Sequence, residues 1–163
     1  MRRNHTLYYG LMILFMGMST HAMTQTGVKT EVSIVGDQFY INGELTYKGR
    51  YWKGNKIEGL LFNSRMVQGI FDDLNQETKS LFQYPDTKLW DADRNTDEFV
   101  SSMTEWRSHG LLAFTLNLQG GSPSGYGNQR GWINSAFDEL GNLRPDYMKR
   151  LEKILDKADQ LKM

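Results

Sequence analysis

Cysteine is absent from all 163 residues, which excludes disulfides, thiol catalysis, thiolate metal sites and a lipid-carrying cysteine. Histidine is almost as scarce: only His5, His21 and His109 occur. An excess of charge of either sign is missing too, because 19 basic residues balance 19 acidic ones. A nucleic-acid or anionic-membrane partner is therefore not expected from composition. Proline is limited to three residues, and no apolar run is long enough to span a bilayer comfortably.

What is present begins with a leader. Arg2 and Arg3 precede an apolar stretch from Leu7 to Met18, and Ser19-Thr20-His21-Ala22 supplies small residues at the positions a signal peptidase reads. Residues 1–22 are thus expected to be a signal peptide cleaved after Ala22, the alternative being an uncleaved N-terminal anchor. Cleavage leaves 17 basic against 19 acidic groups and His109 as the only histidine, so a multi-histidine metal site cannot be built. An exported, cysteine-free chain of this size fits a bacterial periplasm or exterior, with no membrane partner after cleavage.

Beyond the leader, residues 23–56 read as a spacer and a small β-meander. Thr30 to Ile34 and Gln38 to Ile41 are expected strands joined through Gly36-Asp37, and Asn42-Gly43 turns the chain into Leu45-Thr46-Tyr47. Ile57-Glu58-Gly59-Leu60-Leu61-Phe62 is a short, mostly apolar run of the kind a buried parallel strand uses, and it releases Asn63, Ser64 and Arg65. Val67 to Leu74 has no assignable pattern. From Asn75 to Arg94 runs a polar loop of about 20 residues, long enough to suspect a function.

A helix is expected from Asn95 or Thr96, with Asn95 as N-cap and Glu98 closing a capping box. Phe99, Met103 and Trp106 share one of its faces, and Ser108-His109-Gly110 ends it, with His109 at the negative end of the dipole. The apolar strand Leu111 to Leu118 follows, then a second long loop from Gln119 to Gly141. Pro145 opens the last helix, whose apolar face carries Tyr147, Leu151, Ile154, Leu155, Ala158 and Leu161. Its other face carries Lys149, Arg150, Glu152, Lys153, Asp156 and Lys157. The order meander, strand, helix, strand, helix is that of an incomplete α/β domain over residues 57–163.

Motif by motif, chemistry is thin. Asp91-Ala92-Asp93-Arg94-Asn95 opens like a calcium loop, but Thr96 stands where glycine is required and Ser102 where a bidentate glutamate belongs. The run Gly120 to Gly127 follows a strand as phosphate loops do, but lacks the Lys-Ser/Thr ending and holds Pro123. No cofactor, metal or catalytic residue is therefore assigned. Asp72, Asp73 and Asp86 are carboxylates of the type glycosidic hydrolysis needs in pairs, but nothing in their spacing brings two together, and solvated loop acids are the default. Trp90, Tyr126 and Trp132 lie in polar loops, where flat rings either stack on sugars or fold back to bury themselves.

Phe39-Tyr40-Ile41-Asn42-Gly43, KIEGLLFNSRMVQGIFDDLN at residues 56–75, YPDTKLWDADRNTDEFVSSMTEWRSHGLLAFTLNLQGG at 84–121 and WINSAF at 132–137 carry a resemblance. Together they resemble the N-terminal part of bacterial cellulase-like glycoside hydrolases. The similarity runs from about Val32 to Met163 and covers the first third or so of such a protein. It implies a partial (β/α)8 TIM barrel, its first two strands being Ile57 to Phe62 and Leu111 to Leu118. It also implies that the catalytic glutamates, which related retaining enzymes place on the fourth and seventh strands, lie beyond this stretch. Asn63, Arg65, Asn117, Gln119, Trp132 and Tyr126 are the positions expected to meet carbohydrate. The expectation is a truncated, inactive piece of a secreted glycoside hydrolase; the alternative is a stand-alone carbohydrate-binding or surface-interaction module.

Overall fold

The computed structural model describes residues 30–66, 69–118 and 131–163. The leader, the glycine-rich run 120–127, Gln119 and Tyr126 lie outside the described residues. The chain is mixed α/β: two small antiparallel sheets, one parallel strand pair and three α-helices among the described residues.

β1 (Val32–Val35), β2 (Gln38–Ile41) and β3 (Glu44–Leu45) form the expected meander, with Val32 opposite Ile41 and Tyr40 opposite Leu45. Gly36, Asn42 and Gly43 all take positive φ, the conformation that closes such tight turns. A second hairpin was not expected. β4 (Tyr51–Trp52) and β5 (Asn55–Lys56) pair around Lys53-Gly54, both with positive φ, at the end of the 23–56 segment, where no strand was assigned.

The parallel pair is β6 (Asn63–Arg65) with β7 (Ala113–Thr115), Ser64 facing Phe114. Both strands are shorter than expected, and β6 begins where Ile57 to Phe62 was expected to end. The cause lies at Gly59, whose φ of 80° turns the chain while its N–H donates to Thr46 O (2.8 Å) and its carbonyl accepts from Phe39 N (2.8 Å). Residues 57–62 thus spend their backbone groups docking the meander rather than joining the ladder.

The crossover from β6 to β7 runs through α1 (Gln76–Lys79), a 3-10 turn at Ser80–Phe82, and α2 (Ala92–Ser108). α2 starts a turn earlier than expected, because Asp91 rather than Asn95 is the N-cap; its carboxylate accepts from Arg94 N at 2.9 Å. At the other end His109 is the C-cap and Gly110 takes φ of 94°, as the sequence indicates. α3 (Pro145–Leu161) matches the expectation, with Pro145 at its first position.

α2 and α3 pack side by side, and Ile70, Met103, Ala136, Tyr147, Leu151, Ile154 and Ala158 form the buried core, flanked by Phe99, Trp106, Phe114 and Leu116. The meander closes the end where both strands begin: Tyr47 Oη donates to Gly110 O (3.0 Å), and Thr30 donates through its N–H and hydroxyl to Asp159 on α3. The opposite end is left to the loops.

Candidate functional site

Both parallel strands release their loops at the same end, and those loops are tied to each other. Leu74 N donates to Ile133 O (2.9 Å), Asp72 N to Asn134 Oδ1 (3.2 Å) and Asn75 Nδ2 to Gly131 O (2.7 Å). Tyr147 Oη, fully buried, lies 3.0 Å from both the Ile70 and Asn117 carbonyl oxygens, so one phenol on α3 holds the chain beyond each strand. Burial pushes that phenol up to about 12, against the lowering influence of Arg150 and Arg144.

Asp72 and Asp73, read as solvated loop acids, are both buried. Asp73 Oδ1 accepts from the amides of Asn75 and Ile133 (2.9 Å each) and Oδ2 from Thr78 Oγ1 (2.7 Å). Asp72 Oδ2 accepts from Arg144 Nη2 (3.2 Å) and Arg150 Nη2 (3.1 Å), and Oδ1 from Trp90 Nε1 (3.3 Å). These are acceptors for loop-organising donors. Asp86 stays exposed and takes both its bonds from Arg94 Nη1 at 2.9 Å.

Arg150 also departs from expectation. Assigned to the charged face of the last helix, it is 7 % exposed, joining Asp72, Asp93 and Asp146. Helical spacing carried the signal, since 150 lies three residues after Tyr147 and four before Ile154, on the face they bury. Beside it, burial pushes the Asp146 carboxyl up, but the Tyr147 amide and the guanidinium groups of Arg144 and Arg150 outweigh that and leave it below its ordinary 3.8. Asp91 and Asp93, the start of the calcium-like run, are accounted for by the helix cap and by Arg150.

Two of the loop aromatics, Trp90 and Trp132, fold back. Trp132 is 5 % exposed and meets Phe82 edge-on at 6.3 Å, so its ring faces protein. Trp90 stacks on Tyr84 at 6.0 Å and 3°, and meets Phe71 edge-on at 5.5 Å. Arg94 covers Tyr84 at 3.8 Å, and burial with the Glu98 hydrogen bond pushes the Tyr84 phenol up to about 12. Of the carbohydrate-contact positions, Asn63 and Arg65 are exposed and share one face of β6, Asn117 is half-buried, and Trp132 belongs to the interior. Gln119 and Tyr126 lie outside the described residues.

Each strand of the parallel pair has one neighbour only among the described residues. Beside β6 lies a cleft of about 700 Å³ reached by Trp52, Phe62, Met66 and Trp106. Beside β7 lies one of about 480 Å³ reached by Leu116, Leu118, Leu151 and Leu155, and Leu155 on α3 is 53 % exposed there. Compared with protein families, with curated proteins and with solved structures, the chain matches none.

Proposed function

We propose that this chain is the opening portion of an exported (β/α)8-barrel glycoside hydrolase, its parallel pair β6 and β7 being the first two barrel strands. The complete barrel hydrolyses glycosidic bonds in poly- or oligosaccharides. This portion contributes Asn63, Arg65 and Asn117 as groups that bind and orient sugar, without an acid/base pair. One observation carries the reading: both outer edges of a parallel pair open onto apolar clefts, which is the form of a wedge from a closed sheet. Loop ends knitted into one floor and a meander over the opposite end agree with it.

A stand-alone carbohydrate-binding module draws less support, because Trp90 and Trp132 give their rings to protein neighbours. The test is translation of the DNA beyond the codon for Met163, followed by assay of the extended protein on soluble glucans. The expected result is further strand-and-helix units with glutamates at strand ends, and hydrolysis lost on Glu→Gln substitution there. A stop codon directly after Met163, with a chain that is a cooperatively folded monomer, overturns the proposal.

A further inference from the structure

A pocket of about 230 Å³ lies where the strands begin, between the meander and the C-terminal ends of α2 and α3. Its lining includes four cationic side chains, Lys48, Arg50, Arg107 and Lys162, against one carboxylate, Glu44. None of the four forms an ion pair within 4 Å among the described residues, although the chain as a whole has equal numbers of both signs.

Two of these cations have a structural explanation. Arg107 Nε donates to Leu161 O (3.0 Å), answering the negative end of α3, and Lys162 is the C-cap of that helix, its backbone N–H donating to the Ala158 and Asp159 carbonyls. Lys48 and Arg50 form no ion pair, although Arg50 Nη1 stands beside Gly110 just past α2 and Lys48 acts electrostatically on Glu58, and local geometry brings both there. Tyr47 takes φ of 49°, unusual for a bulky side chain, while its hydroxyl is fixed on Gly110 O. Arg50 N then closes a turn on Tyr47 O (2.9 Å), and Gly49 N donates to Glu58, which is itself bound to Lys56. The turn therefore delivers two further positive charges beside Arg107. Tyr47, Lys48, Arg50 and Arg107 all line this one pocket.

We infer that this pocket binds a tetrahedral oxyanion, with Lys48, Arg50 and Arg107 as its donors and Lys162 adding charge. Arginine and lysine together provide forked and point-charge donors for phosphate or sulfate oxygens. The anion comes either free in solution or as the sulfate ester of a saccharide. The free-anion source is independent of the barrel proposal, since the pocket lies at the end of the strands away from the loops, whereas the saccharide ester rests on that reading.

Isothermal titration calorimetry of the full chain, with inorganic phosphate and with glucose 6-sulfate at constant ionic strength, tests it. One saturable site per chain is expected, weakened at least tenfold by Lys48→Gln/Arg50→Gln and retained in Lys149→Ala, an exposed position on α3. Saturation by both ligands identifies a free-anion site; saturation by the sugar sulfate alone identifies the ester. No saturable heat with either ligand, or binding by the double variant equal to that of the unsubstituted chain, overturns the inference. Circular dichroism of the double variant checks that it remains folded.

Discussion

Asp72 neutralises two guanidinium groups that the core has largely removed from water. Removing it takes away their one buried carboxylate and leaves Arg144 and Arg150 with only the exposed Asp146 and Asp93 as counter-charges, which is costlier than losing a surface pair. Asp72→Ala is expected to lower stability by about 3 kcal/mol, read from urea denaturation. Tyr147 sets the alkaline limit. Its phenol ionises at 10.0 when exposed and at about 12 in the fold, so its contribution is complete below pH 10 and is lost as pH rises through 12. A decline of roughly 2 to 3 kcal/mol is expected across that window. Tyr147→Phe should flatten most of it in pH-dependent denaturation, leaving the smaller shares of the more exposed Tyr84 and Tyr47, whose phenols burial also pushes up. Neither residue's role was fully legible beforehand. Tyr147 was placed on the buried face by its spacing, whereas the burial of Asp72 depends on Arg144 and Arg150, more than 70 positions away in the chain.

The elements were legible in proportion to how local their causes are. α3 and the meander turns follow from Pro145, helical spacing, Gly36 and Asn42-Gly43, all within a few residues of what they determine. α2 began early because Asp91 accepts from Arg94 N as the cap, which places Asn95 inside the helix and leaves Thr96 buried one position further on. Asp91→Ala should therefore cost about 1 kcal/mol by thermal denaturation, while Asn95→Ala should not show a cap loss. β6 was misplaced for a non-local reason. The apolar run 57–62 looks like strand until the meander claims the backbone of Gly59, and nothing within that run announces the claim. Of the carbohydrate-contact positions, Asn63 and Arg65 share an exposed strand face as alternation requires, whereas Trp132 is buried by Phe82, which lies 50 positions earlier.

On the scale of the molecule, the arrangement has a closed end, a loop end and two open sides. The meander seals the first, the Asp72, Asp73 and Tyr147 bonds knit the second, and apolar clefts border β6 and β7 on the remaining two. An unpaired strand edge beside an apolar cleft is a template for association. Light scattering coupled to size-exclusion chromatography of residues 23–163, over a range of concentrations, tests the wedge reading most directly. The account predicts a mass that rises with concentration, because the open sides pair with one another. A single monomeric mass at every concentration would contradict it, since a chain content with both edges uncovered is not a wedge of a barrel.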